Sequence, residues 1–251
     1  MKPAANLSLL WSDLPYLDRF EAAAAAGFTG VEVLFPYDVP AKETQRALIA
    51  NGLELVLINA PPPNYTGGPR GFAADPQLRE RFQHDMRRAF RYVDALGVSV
   101  LHVMAGPGEG NLARACMIDN LAWAAEAAPE GLMLTIEPLC EAAQPGYFLN
   151  DYNLAAGILD AVAAANVGLQ FDSFHAQMIH GDAVAVFEAH RGRVRHVQIG
   201  DAPERSAPGT GTVDFDALFA AMRGAGYDGW ISGEYHAGRV VEKTLGWMRG
   251  A

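Results

Sequence analysis

The chain has 251 residues, 50% of them hydrophobic and 19% charged, a balance that excludes a disordered or fibrous protein. Lys and Arg number 19 against 29 Asp and Glu, a formal charge of −10 that argues against nucleic acid and against an anionic membrane surface as partners. Two cysteines, Cys116 and Cys140, are too few for a disulfide framework, and no CxxC pair offers a zinc site. The opening Met1-Lys2-Pro3-Ala4-Ala5-Asn6 lacks the apolar run of a signal peptide, and the alanine-rich stretch 21–27 is too short to span a bilayer. A reduced, cytoplasmic setting without membrane attachment is the expectation.

Residues 7–10 predict a first strand. Ser12 is then expected to cap a helix that runs through Leu17, Phe20 and Ala24 to Gly27. Residues 30–34 predict a strand, 40–51 a helix closed by Gly52, and 53–59 a third strand. Asp75-Pro76 opens a helix to Leu96 with proline at its first position. A fourth strand at 99–104 is followed by a helix near 112–128. The second half repeats the rhythm. Strands at 133–137, 167–172, 194–200 and 230–235 alternate with helices at 151–165, 182–190, 214–225 and 240–248, and Asp151 and Asp214 serve as caps.

Strands separated by helices pair in parallel through right-handed crossovers. Eight such units with no linker or composition shift predict an α/β fold, a single-domain (β/α)₈ TIM barrel over residues 1–251. A doubly wound sheet is the structural rival. Its Gly-rich phosphate turn is missing, because the first strand leads into Leu10-Trp11-Ser12-Asp13. Two connections are long: 60–74, with Pro61-Pro62-Pro63 and Gly67-Gly68, and 201–213, with Gly209-Thr210-Gly211. Both leave the C-terminal end of a strand, the face where barrel enzymes keep their chemistry, and the first is expected to close over a substrate as a lid.

Four consecutive strands end in oxygen-bearing side chains: Glu137, Asp172, Gln198 and Glu234. Carboxylates repeated at the ends of apolar strands need a compensating charge, and a divalent cation would supply it. An all-oxygen set favours Mg²⁺ or Mn²⁺. His196 shares a strand face with Gln198, and it and His102 suit either an interior or a site role. His175, expected in the loop beyond Asp172, suits either support of the site residues or substrate contact, and His236 suits the rim. His84, His180 and His190 are expected at the surface. Arg205, in the second long loop, is a candidate clamp for an anionic substrate.

Several stretches resemble the hydroxypyruvate isomerase family, within the xylose-isomerase-like barrels: Ile136-Glu137-Pro138, Phe171-Asp172-Ser173-Phe174-His175-Ala176-Gln177, His196-Val197-Gln198-Ile199-Gly200-Asp201-Ala202-Pro203, Pro208-Gly209-Thr210-Gly211 and Gly229-Trp230-Ile231-Ser232-Gly233-Glu234-Tyr235. The likeness covers nearly the whole chain, and 2-oxo-tetronate isomerases share these motifs. It implies a metal held by Glu137, Asp172, Gln198 and Glu234, proton transfer by Glu137 and Glu234, and substrate contacts from His175 and Arg205. His102 is added from its strand position. The chain departs from the family pattern at Cys140, where an asparagine is usual, and at Ser206, Ala207 and Thr212, where a histidine and two acids are usual.

The expected reaction is aldose–ketose isomerisation of a small hydroxy-oxo acid, such as hydroxypyruvate to tartronate semialdehyde, through an enediolate. The small molecule is the expected partner, and assembly into a homo-oligomer is left open. Rival readings are a 2-oxo-tetronate isomerase or ketose 3-epimerase on the same metal site, a histidine-rich endonuclease, and a binding protein that keeps the metal without turnover.

Overall fold

The structure is a computed structural model that describes residues 1–64, 67–68 and 70–250. Eight strands form a closed parallel barrel in chain order: β1 (Lys2–Asn6), β2 (Gly30–Val33), β3 (Glu54–Asn59), β4 (Val100–His102), β5 (Met133–Ile136), β6 (Val167–Asp172), β7 (Val194–Ile199) and β8 (Trp230–Gly233), with β8 closing on β1. The helices α1 (Asp18–Ala25), α2 (Ala41–Asn51), α3 (Arg79–Leu96), α4 (Gly110–Ala127), α5 (Tyr152–Val162), α6 (Ser173–His180), α7 (Ala183–His190) and α8 (Phe215–Gly224) connect them.

Side-chain alternation decides what each strand gives to each side. On β6, Phe171 points outward, where its ring meets Tyr152 of α5 at 6.0 Å and Phe187 of α7 at 5.4 Å between centroids. Gln170 and Asp172 alternate with it and face the barrel interior. The apolar layer between strands and helices is therefore the main core, and it includes the fully buried Phe20, Met86, Leu134, Ile158 and Leu218. Among the described residues, no helix is long and apolar enough to cross a membrane.

Boundaries depart from the pattern at both ends of the chain. The first strand is Lys2–Asn6 rather than 7–10. Leu7 and Leu10 are buried, but their amides bond to Glu32 O at 2.8 Å and Asn6 O at 2.9 Å, which turns the chain over the barrel mouth. Ser12 does not cap α1, which begins at Asp18 after Pro15. Ser12 O instead accepts from Arg19 Nη2 at 3.0 Å. Asp75 caps as expected, accepting from Gln77 N at 2.8 Å, but the first turn after it is 3₁₀ before α3 begins. Asp151, Asp182 and Asp214 each accept an amide hydrogen bond at their helix N-termini. The last helix, Val241–Arg249, is 3₁₀.

The segment after β6 is the larger correction. It is helical, with Asp172 accepting from Phe174 N at 2.9 Å and Gly181 ending α6 at φ +78°. His175 therefore rides on a helix rather than a loop. His190 is buried against the Tyr152 ring rather than at the surface. Within the expected lid, Tyr65, Thr66 and Pro69 lie outside the described residues.

Removing the Phe171 ring empties the contact between β6, α5 and α7. Phe171→Ala should lower unfolding free energy by about 3–5 kcal/mol, measured by urea denaturation.

Candidate active site

The ends of β4 to β8 converge on one cavity. Glu137 follows β5, Asp172 closes β6, Gln198 sits one residue before the end of β7, and Glu234 follows β8. All four are buried, none more than 5% exposed. An inner cavity of about 70 Å³ is lined by Glu137, Glu234, Gln198, His102, His175, Arg70 and Arg205, among others. It shares Leu34, Arg70, Arg205 and Glu234 with an outer pocket of about 460 Å³ that also includes Ser8, Phe35 and His236.

Arg205 lies between the carboxylates. Its Nη2 is 2.7 Å from Asp172 Oδ2 and 3.2 Å from Glu234 Oε2, and its Nε donates to Glu234 O at 3.1 Å. Its guanidinium also stands 5.1 Å from the Phe174 ring centre. Burial works against its charge, but Glu234, Asp172 and Glu137 together hold its pKa above the usual arginine value. The sequence assigns Arg205 to a substrate anion; the geometry ties it to two protein carboxylates.

One arginine does not balance the site. Burial pushes Asp172 up to about 6, against the opposing pull of Arg205. Burial likewise pushes Glu234 up to about 8, and Glu137 is raised well above the usual carboxylate range by burial, Asp172 and Glu234. Glu137 Oε2 accepts from Gln170 Nε2 at 3.1 Å, while its buried Oε1 has no hydrogen-bond partner. A bare buried carboxylate oxygen among like charges fits a divalent cation. Ligand atoms of Glu137, Asp172 and His175 also lie within 4.8 Å of one another.

The histidines divide by their partners. His175 Nδ1 accepts from the Cys140 amide at 3.0 Å. Burial lowers its pKa well below the ordinary value, so the ring is neutral and its single proton sits on Nε2, 3.8 Å from Asp172 Oδ2. A protonated nitrogen donates a hydrogen bond and does not ligate a metal. His102 is lowered to about 3, chiefly by burial. Its Nδ1 faces two acceptors, Asn59 Oδ1 at 3.3 Å and Glu137 Oε2 at 3.6 Å, which places the proton there. Its Nε2 is then a bare acceptor, buried and without a partner. His196 is interior: its Nε2 bonds Glu32 Oε1. His236 stands at the rim of the outer pocket.

Three positioning groups are not singled out by the sequence, and the first two carry no local signal. Glu32 Oε2 accepts from Asn6 at 3.0 Å and from Gln198 Nε2 at 2.8 Å. Gln170 bridges Glu137 and Gln198, and Thr135 fixes its carbonyl oxygen at 2.9 Å. Asp201 organises the second long loop. Its Oδ2 accepts from the amides of Gly209, Thr210 and Gly211, and its Oδ1 from those of Ala202 and Val213, all at 2.8–3.0 Å. That scaffold holds Arg205 at φ +50°, in the left-handed region that bulky residues rarely occupy. The fold of 201–213 could have been suspected from an Asp followed by Gly-Thr-Gly, the composition of an anchored turn.

Asp201→Ala leaves five amides without their acceptor. It should destabilise the protein by about 2–4 kcal/mol and speed hydrogen exchange at Gly209–Gly211, measured by mass spectrometry.

Comparison with known proteins agrees with the geometry. Residues 20–251 match the family model for the xylose isomerase-like TIM barrel. The chain is 41% identical to the 2-oxo-tetronate isomerase of Cupriavidus necator, covering 98% of this chain and 96% of that one. It is 34% identical to the hydroxypyruvate isomerase of Escherichia coli over 98% of this chain and 97% of that one. A solved structure titled AP endonuclease, family 2 from Brucella melitensis superposes with a TM-score of 0.95 at 37% identity, covering 99% of this chain and 98% of that one. With matches that run nearly its whole length, the chain belongs to the xylose isomerase-like TIM barrel family.

Proposed function

We propose that this protein is an aldose–ketose isomerase of small hydroxy-oxo acids, interconverting hydroxypyruvate and tartronate semialdehyde or the four-carbon 2-oxo-tetronate pair. The observation that carries this reading is the pair of buried glutamates, Glu137 and Glu234, that line one cavity. The names of the relatives support it. So does size. One water needs roughly 10–15 Å³ of such space, so the inner cavity of about 70 Å³ suits a three- or four-carbon acid.

Glu137, Asp172, Gln198 and Glu234 would hold Mg²⁺ or Mn²⁺. Gln198 can serve because a carbonyl oxygen has two lone pairs, and only one is taken by Gln170 at 2.7 Å. The cation would supply fixed positive charge against the developing oxyanions of the substrate.

The chain's own residues do the rest. One glutamate takes the proton from the hydroxyl-bearing carbon next to the carbonyl, leaving an enediolate. The other returns a proton to the former carbonyl carbon, and the hydroxyl proton passes between the two oxygens. Gln170 holds Glu137 Oε2 at 3.1 Å and so fixes how that carboxylate sits in the cavity. His102 Nε2 is an acceptor suited to the substrate hydroxyl, and His175 Nε2–H a donor suited to the carbonyl oxygen. Neutral histidines here avoid adding charge to the reacting atoms. The endonuclease named for the Brucella melitensis structure would act on a polyanion, which the formal charge of −10 repels.

Hydroxypyruvate and 2-oxo-tetronate supplied with Mg²⁺ or Mn²⁺ should be isomerised, and in deuterated water the carbon that receives the proton should carry deuterium by NMR. Glu137→Gln and Glu234→Gln should each lower kcat by about 10²–10⁴-fold. Turnover without solvent deuterium, or full activity in Glu234→Gln, would point to hydride transfer instead. Asp172→Asn should weaken Mn²⁺ binding by calorimetry; unchanged affinity would remove Asp172 from the ligand set.

A further inference from the structure

We propose that Arg70 holds the carboxylate of the substrate and is the residue that selects an acid over a neutral sugar of the same length. The inference deepens the reading of the protein as an acid isomerase and rests on it.

Charge within the cavity leads to Arg70. An anionic substrate entering among Glu137, Asp172 and Glu234 needs a cationic partner of its own. Arg205, which the sequence nominates, already pairs with Asp172 at 2.7 Å and Glu234 at 3.2 Å. Its Nη2 faces both of those carboxylates and its Nε donates to Glu234 O at 3.1 Å, and drawing it away would leave the carboxylate charges buried and unbalanced. His102 and His175 are each engaged by the protein at Nδ1, with Asn59 Oδ1 at 3.3 Å and the Cys140 amide at 3.0 Å. Arg70 is the other arginine lining the inner cavity, and it also lines the outer pocket, so it stands at the passage between them. It is exposed, and among the described residues no carboxylate lies within ion-pair distance of it. It lines both cavities together with Glu234. A guanidinium presents two parallel donors that match a carboxylate, and a neutral hydroxymethyl group offers no such partner.

The backbone next to Arg70 is fixed, which gives its side chain a defined origin. Gly71 forms an antiparallel bridge with Ala105, and Ala73 N and Ala74 N bond Met104 O at 3.2 Å and Ala105 O at 2.9 Å. Gly71 has φ +83°, and a Cβ there would run into the Met104 backbone. The loop is thereby sewn to the chain leaving β4, directly above His102.

Arg70→Gln and Arg70→Lys test the assignment in steady-state kinetics with hydroxypyruvate, alongside calorimetry with tartronate, a dicarboxylate that cannot isomerise. Arg70→Gln should raise KM for hydroxypyruvate by about 10–100-fold with kcat changed far less, and should weaken tartronate binding by a similar factor. Arg70→Lys should recover part of both losses. Thermal melting should not change, because the side chain is exposed. A KM and a tartronate affinity within twofold of the parent protein would overturn the role of Arg70. If the parent protein turned over neither hydroxypyruvate nor 2-oxo-tetronate, the isomerase reading would fall, and the tartronate measurement would still decide whether Arg70 binds a carboxylate.

Discussion

Glu137, Asp172 and Glu234 are each no more than 5% exposed, and ionised carboxylates at that depth are costly unless they are paired and hydrogen-bonded. The means of meeting that cost account for much of the C-terminal half of the barrel. Asp201 gathers five backbone amides and shapes the loop after β7. That loop presents Arg205, and Arg205 reaches Asp172 and Glu234 together. Asp201 thus acts on the site through backbone geometry, without touching it. The compensation stays incomplete, as the upward shifts of Glu137 and Glu234 record. Incomplete compensation is the condition that the proposed cation and the proposed proton transfer would each draw on.

The barrel interior beneath the site is unusually polar for a fold whose strands commonly pack branched apolar side chains inward. Asn6, Glu32, Thr135, Gln170, His196 and Gln198 are all buried there and joined by hydrogen bonds across β1, β2, β5, β6 and β7. A satisfied buried network gives each member one orientation, because any rotation would strand a polar atom. Its upper end is Gln170, which grips Glu137 and Gln198 at once. The positions of a proposed base and a proposed ligand are thereby set by a hydrogen-bond network that runs down into the barrel interior.

Legibility in the sequence followed the range of the physics. Strands with two buried faces, such as Val167–Asp172, stand out as apolar runs, and carboxylates at their ends stand out against them. The barrel and the four rim residues could be read from those signals alone. Strand β1 could not, because Lys2-Pro3-Ala4-Ala5-Asn6 has little strand propensity and is held by β2 and β8. Helix α6 did have a local signature, Asp172 before it and Gly181 after it, which the pull of His175 toward a loop reading obscured. The pairing of Glu32 with His196 spans 164 positions, and no local pattern announces it. The commitment of Arg205 to protein carboxylates was equally hidden, since a loop arginine near acids reads the same whether it serves them or a ligand.

The departures from the family pattern look severe in sequence and are mild in structure, for one reason. Cys140 replaces a polar amide, yet its contribution to the site is the backbone N–H that fixes the His175 tautomer at 3.0 Å. Any residue with a free amide hydrogen can make that bond. Ala207 and Thr212 replace two acids in the loop that carries Arg205, but Asp201 holds that loop through the amides of residues 202, 209, 210, 211 and 213. Thr212 adds its own amide to Ala202 O at 3.0 Å. Side-chain drift at these positions leaves the backbone donors where they were. Drift would be felt at positions whose side chains themselves accept or donate buried bonds, Asp201, Glu32, Gln170 and Arg205 among them. Gly211 joins them, because a Cβ there would collide with Ala202 O and stand 2.6 Å from Asp201 Oδ1.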